Sequence, residues 1–407
     1  MSTLVDLVSQ LKLYTESESH KKVYEVAKKV LEKDDKDLNA FKQCLVALIN
    51  MDNYESALAL IEKYKTLIDK DNVSDKLLLL ERAYIYYKAN KGDELEKLIP
   101  LGKDTRGFQH VLAQYYYRCG QSAKALELYE QLLSNPEGEE SDLYVNKRAV
   151  QSQLKCDDSS RVINVSGKDS EGSYDLLSND ALVKIGEGKY DEALSLLKTA
   201  LSTAEENLKD YEEDSKFSEI SPIQAQIAYI KQLMGDSEEA DEILSKFDLA
   251  KVKDSALKLL ISNNLASLRS KSVSNPALLY RELGLPSSLN NIIDRLTVPQ
   301  IRVLQRNEFL LAQGAGKNLK HAAKRHVRNH HGSLLGQALT TLNHIGVDLR
   351  DLKYEKNDKK VFRYSLKHPE DLPFALLAAQ ICITFGNLQN AASVMENPVN
   401  DDRSVLI

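Results

Sequence analysis

Residues 113–129 read Ala-Gln-Tyr-Tyr-Tyr-Arg-Cys-Gly-Gln-Ser-Ala-Lys-Ala-Leu-Glu-Leu-Tyr. Ala113 and Ala125 stand twelve apart with Gly120 between them, and Tyr129 follows four residues after the second alanine. This spacing predicts two helices joined by a tight turn at the glycine. Small residues at the twelve-apart positions let antiparallel helices approach closely, and a residue four later lies one turn on along the same face.

The pattern recurs. Ala181/Ala193/Leu197 around Gly188, Ala228/Ala240/Leu244 around Gly235 and Ala379/Ala391/Met395 around Gly386 repeat it closely. Leu11/Val23/Ala27, Leu45/Ala57/Ile61 and Ala83/Leu95/Ile99 repeat it with looser residues and a polar turn. Val23 to Ala57 is 34 residues and Ala125 to Ala193 is 68, twice that period. Tyr54 and Tyr190 each stand three before the second alanine, where an aromatic ring packs back on the first helix. A helical hairpin of this period is the tetratricopeptide (TPR) unit. The expected fold class is all-α: a TPR-like superhelical solenoid of antiparallel hairpins, continuing into less regular helical repeats.

Composition agrees. Gly (17) and Pro (9) are scarce in 407 residues, and the first proline is Pro100, so helices can follow one another without breakers. An all-β chain needs many more turn residues and is excluded. A chain this long exceeds a single core, which suits several domains or an elongated array. The array is expected over 1–270 and an irregular helical, TPR-like continuation over 271–407. Two interruptions are expected in the array. After a single helix at Tyr144–Leu154, residues 155–173 are rich in Asp, Ser and Gly and read as a loop. The acidic stretch 205–219 reads as an extension of the helix ending near Ala204, then a solvated crossing to Pro222. Between Val252 and His368 the register degrades, with Pro276, Pro286 and Pro299 near helix starts. Leu372–Met395 restores a hairpin.

Chemistry is sparse. Cys44, Cys119, Cys156 and Cys382 lie far apart with no CxxC pair, and read as reduced thiols packed as small hydrophobes. Gly314-Ala315-Gly316-Lys317-Asn318 is not a phosphate loop: the position for the leading glycine is Leu311, the hydroxyl position is Asn318, and no strand precedes them. His326 and His330 stand four apart, but no Cys joins them and no acidic residue lies between Glu308 and Asp348, so no metal site is read. No nucleophile motif occurs, no cofactor is implied, and no enzyme is expected. No secretory signal and no apolar run of membrane-spanning length appear, which points to a cytoplasmic protein without membrane insertion.

Two features point to binding. In a TPR array the first helix of each hairpin lines the concave surface, through residues three before, one after and four after its small residue. That rule aims Tyr84, Tyr87, His110, Gln114, Tyr117, Tyr229 and Gln232 at a partner groove, and tyrosines are frequent interface anchors. Charge is the second. Residues 1–250 carry 32 Lys plus Arg against 47 Asp plus Glu, whereas residues 251–407 carry 22 against 13. Lys317, Lys320, Lys324, Arg325 and Arg328 cluster without a countercharge, a pattern that suits RNA phosphates or an acidic protein partner.

Particular stretches carry a resemblance. Glu81-Arg82-Ala83-Tyr84-Ile85-Tyr86-Tyr87-Lys88 looks like a repeat of the large, seventy-two-kilodalton TPR subunits of the signal recognition particle. Ser173–Leu177 running into Gly188–Asp191, Gln226–Ile230 with Leu233 and Gly235, and Asn263–Leu265 are similar too. Order and spacing fit over residues 1–270, with the nearest likeness to fungal members. The resemblance implies a non-catalytic ribonucleoprotein subunit that supports targeting of secretory proteins to the ER. Its TPR array would hold the C-terminal segment of the sixty-eight-kilodalton subunit, with particle RNA bound weakly or through that partner. Family members continue into a Lys-rich tail that contacts RNA. This chain ends at Ile407 without one, so weak RNA binding is expected. A chaperone adaptor for Glu-Glu-Val-Asp tails is disfavoured: Val46 stands where the clamp needs Asn, and Glu81 would repel a carboxylate. A TPR adaptor of another cytosolic complex, and a direct RNA binder working through Lys317–Arg328, stay open as alternatives.

Overall fold

The computed structural model describes residues 3–65, 78–158, 160–163, 172–269, 275–284, 289, 292–315, 334–347 and 355–396. The described residues form twenty α-helices and one 3-10 turn, with no strand among them. They belong to two compact units, Met1–Asp210 and Tyr211–Ile407.

The first unit contains α1 (Leu4–Glu16), α2 (His20–Lys33), α3 (Leu38–Asn50), α4 (Tyr54–Lys63), α5 (Leu79–Lys88), α6 (Gly92–Gly102), α7 (Arg106–Arg118), α8 (Ser122–Ser134), α9 (Glu140–Asp157), α10 (Tyr174–Gly186) and α11 (Tyr190–Asn207). Each helix packs on its neighbour in the chain within the hairpins α1/α2, α3/α4, α5/α6, α7/α8 and α10/α11. The twelve-apart positions lie where the spacing predicts: Ala57, Ala83, Ala113, Ala125, Ala181 and Ala193 are all fully buried. Tyr129, the residue one turn beyond Ala125, is buried as well. A methyl group at each crossing lets backbones approach, and the larger residues one turn away fill the space left around it.

One turn geometry closes all seven hairpins. The residue seven after the first small position has positive φ every time: Glu18 (51°), Asp52 (52°), Asn90 (56°), Gly120 (72°), Gly188 (74°), Gly235 (94°) and Gly386 (77°). Its N–H donates to the carbonyl three residues back at 2.9–3.2 Å, and the next N–H donates to the carbonyl five back at 2.8–3.0 Å. Gly120 to Tyr117 and Gln121 to Tyr116 are one such pair. These are the two bonds of a Schellman closure, which satisfies carbonyls left over at the end of the first helix. The chain then re-enters a helix two residues later. The 34-residue pattern is thus a pattern of helix ends as much as of buried faces.

Two expected boundaries move. The helix expected at Tyr144–Leu154 runs from Glu140 to Asp157, so the first residues assigned to the 155–173 loop are helical. Lys155 holds the chain beyond it, donating to the Arg161 carbonyl at 2.6 Å. The helix ending near Ala204 extends to Asn207 as expected, but the crossing is only 208–212, since α12 (Glu213–Met234), in the second unit, begins at Glu213. Glu213 and Asp214 fall in its first turn, where carboxylates meet the unpaired amide ends of the helix favourably. Pro222 sits inside the helix instead of starting it. The turns before it are held by Phe217 against Phe247, centroids 6.4 Å apart, and by Asp214 with Lys253 at 3.4 Å.

The second unit continues with α13 (Ser237–Ser245), α14 (Ser255–Arg269), α15 (Pro276–Leu283), α16 (Val298–Gly314), α17 (Leu334–His344), α18 (Glu355–Lys367), α19 (Leu372–Thr384) and α20 (Leu388–Met395). Two hairpins of the repeat type lie here, α12/α13 and α19/α20, with Ala228 and Ala240 fully buried at the first crossing. Pro276 occupies the first turn of α15, capped by the Asn275 side chain accepting from the Ala277 N–H at 3.0 Å.

Candidate partner-binding surface

Three tyrosines meet where hairpins α3/α4 and α5/α6 adjoin. Tyr84 and Tyr87 lie one turn apart on α5, ring centroids 6.4 Å apart. Tyr54, at the start of α4, turns its ring edge toward Tyr84 at 6.3 Å and donates its hydroxyl hydrogen bond to Asp52 at 2.7 Å. Burial, then the nearby Asp52, pushes the Tyr54 phenol well above its ordinary range. Lys88 places its Nζ 5.7 Å from the Tyr54 centroid and 5.9 Å from that of Tyr84, within cation–π range of both. From α7, the Arg118 guanidinium stacks 4.3 Å from the Tyr87 centroid and donates to the Tyr87 carbonyl oxygen. Burial raises the Tyr87 phenol and the Arg118 charge opposes that rise. Both α5 tyrosines are half-buried and pack against the core of the first unit.

The remaining groove candidates are distributed differently. Gln114 bridges inward, its Nε2 donating to the Tyr129 hydroxyl oxygen at 2.8 Å and to Asn146 Oδ1 at 3.3 Å. His110 Nε2 lies 3.2 Å from the Glu139 carboxylate. That carboxylate is held below the usual range chiefly by Arg106, which also donates to the Asn135 and Pro136 carbonyls. Tyr117 is half-buried, packed against the cluster around Tyr129 and Leu143. The structure therefore gathers Tyr84 and Tyr87 in one place, ties Gln114 to α8 and α9, sets His110 beside Glu139 in the turn between them, and packs Tyr117 against the Tyr129 cluster. Tyr229 and Gln232 belong to the second unit. Tyr229 is exposed on α12, and Gln232 Nε2 reaches Ser267 Oγ at 3.5 Å. Lys317, Lys320, Lys324, Arg325 and Arg328 lie outside the described residues, as do His326 and His330.

Tyr54, Lys88 and Arg118 escaped the groove rule. The signal for two of them was present: Lys88 and Arg118 each stand five after the small residue of their helix, Ala83 and Ala113. Glu81, read as repelling a carboxylate tail, is paired with Lys42 on α3 at 3.4 Å. No group of metal-ligating side chains forms among the described residues, and none of their helices is long and apolar enough to cross a membrane. The Cys44 thiol is buried and pushed up to about 12, far from the thiolate needed of a nucleophile.

Antiparallel hairpins in a 34-residue register, closed by one repeated turn, define a TPR-like repeat protein. Residues 16–153 match a family model described as a putative TPR-like repeat. The signal recognition particle subunit SRP72 of Caenorhabditis elegans is 30% identical over 299 residues, 72% of this chain and 44% of that protein. The Schizosaccharomyces pombe srp72 subunit is 27% identical over 355 residues, 87% of this chain and 58% of that one. Homo sapiens SRP72 is 24% identical over 405 residues, 96% of this chain and 57% of its own length. The chain is similar to the SRP72-type subunits over most of its length. It spans about half the length of the curated relatives it matches, and their identities do not set the fungal relative apart.

Proposed function

We propose that the chain is a non-catalytic scaffold subunit of a cytoplasmic signal recognition particle. In this reading its first-helix surface takes the C-terminal segment of the sixty-eight-kilodalton subunit and so supports co-translational targeting to the ER. The relatives' names supply the particle. The observation that carries the binding reading is the Tyr54–Tyr84–Tyr87 cluster, whose rings pack at 63° and 57° to one another with Lys88 and Arg118 over them. Tyrosines held in place lose little conformational entropy on binding, which makes them effective anchors. Particle RNA is reached weakly or through the partner, with Lys317, Lys320, Lys324, Arg325 and Arg328 as this chain's own candidates.

The test is calorimetric titration of the sixty-eight-kilodalton subunit's C-terminal segment into the full chain. Replacing Tyr84 and Tyr87 together with Ala should weaken binding by about tenfold or more, as truncation of anchor residues does. The helical circular dichroism should persist. Tyr84→Phe, which keeps the ring, should bind nearly as the parent does. Undiminished affinity in the double variant would move the site elsewhere.

A further inference from the structure

Helices α5 and α7 carry four basic residues, Arg82, Lys88, Arg106 and Arg118, and a single carboxylate, Glu81. Glu81 is already paired with Lys42, and Arg106 with Glu139. Lys88 lies at the tyrosine cluster itself. Its ammonium lies over two tyrosine rings and forms no ion pair with a carboxylate among the described residues. Over residues 1–250 the sequence is acidic, with 47 carboxylates against 32 basic side chains. A negatively charged segment is therefore disfavoured by the net charge of this half and favoured locally by the Lys88 ammonium.

From this arrangement we propose that Tyr54, Tyr84, Tyr87 and Lys88 form a subsite for an acidic peptide segment, in which a carboxylate side chain pairs with Lys88 while a neighbouring apolar residue lies against the rings. The subsite rests on the reading that this face takes a partner segment, and it specifies the chemistry of that segment. The rings argue for a peptide over single-stranded RNA. They meet at interplanar angles of 63° and 57° and are half-buried, so they offer no open flat platform for a stacked base. One available ammonium also falls short of the row of cations that follows a phosphate backbone. An ammonium carries three N–H bonds, so a carboxylate can pair with Lys88 without displacing it from the rings.

Two fluorescein-labelled dodecapeptides provide the test: three Glu-Ala-Tyr-Gly repeats, and the same peptide with Gln for Glu. Anisotropy with the full chain at low salt should show the acidic peptide binding tighter by about fivefold, the size of one partly exposed ion pair. Lys88→Gln should abolish the preference and Lys88→Arg should retain it. Lys97→Gln, on α6 and already paired with Glu94 at 2.7 Å, should leave it unchanged. Equal affinity for the two peptides, or a preference that survives Lys88→Gln, overturns the proposal. So does an oligo(U) whose binding disappears in Lys88→Gln, since that gives the seam to nucleic acid. The peptides are independent of the sixty-eight-kilodalton subunit, so acid preference is measured even if that subunit's segment fails to bind. Conversely, segment binding that Lys88→Gln leaves unaltered overturns the subsite while the partner reading stands.

Discussion

At each of the seven hairpin turns one backbone position occupies the left-handed region, and the residue found there differs in cost. Four turns use glycine, but Glu18, Asp52 and Asn90 hold the same conformation with a Cβ. For an L-residue this region is unfavourable by about 1–2 kcal/mol, offset in part by the extra freedom glycine loses on folding. Glu18→Gly should therefore stabilise the first unit by about 0.5–1 kcal/mol, read as a higher urea midpoint with an unchanged m-value. Asp52 is a poorer choice, because its carboxylate accepts the Tyr54 hydroxyl hydrogen bond. The reverse substitution isolates the backbone contribution. A Cβ at Gly188 would meet nothing within 4 Å, so Gly188→Ala has no steric clash to confuse it. It should destabilise by about 1 kcal/mol, and Gly188→Asn by less, since Asn tolerates this region better. Equal urea midpoints for the parent and Gly188→Ala would mean that the turn does not need its left-handed residue.

Between helices, the crossing alanines and one buried ion pair govern how elements dock. Ala193 is fully buried where α11 crosses α10, so Ala193→Phe should cost about 1–3 kcal/mol by overpacking. A variant that melts with the parent would break the link between register and packing. The α9/α10 contact spans the interruption in the array, and there Arg148 pairs with Asp180, whose side chain is fully buried. Asp180→Ala should cost about 3 kcal/mol, because it leaves a largely buried guanidinium without that partner. Replacing both residues together, Arg148→Met with Asp180→Leu, should recover much of that stability. The repeat was legible in the sequence because small residues twelve apart, with a turn former between them, are hard to satisfy except by a hairpin. The start of α12 was not. Acidic residues before Pro222 resemble a solvated linker, and the contacts they make in the structure, Phe217 with Phe247 and Asp214 with Lys253, join residues 30 and 39 apart. The tyrosine seam was half legible for a similar reason. Tyr84, Tyr87 and Lys88 follow from the register of one helix, whereas Tyr54 and Arg118 join them only through contacts between hairpins.

Charge divides the molecule along its sequence: residues 1–250 are acidic and residues 251–407 basic, 22 Lys plus Arg against 13 Asp plus Glu. An RNA approaching such a chain is repelled by the first part and attracted to the second, so any phosphate contact this chain makes should map to the second. Within it, Lys317, Lys320, Lys324, Arg325 and Arg328 form the densest run of positive charge without a carboxylate. At helical spacing Lys317, Lys320 and Lys324 would share a face that Arg328 continues, and such a stripe would suit either a phosphate backbone or an acidic helix of the protein partner. Each phosphate neutralised releases condensed counterions, which ties affinity to salt concentration in a way that a single protein–protein ion pair does not. Changing Lys320, Lys324 and Arg328 to Gln should therefore flatten the plot of log affinity for particle RNA against log salt, by about 0.9 for each duplex phosphate that is no longer neutralised. Lys42→Gln in the acidic part should leave that slope unchanged, which makes it the control for a general removal of charge. The decisive measurement is a salt titration of RNA binding beside a titration of the sixty-eight-kilodalton subunit's segment with the same triple variant. A flattened slope with intact segment binding assigns the stripe to RNA. An unaltered slope with weakened segment binding assigns it to the protein partner, with the acidic seam-binding segment and this stripe then engaging different parts of one ligand.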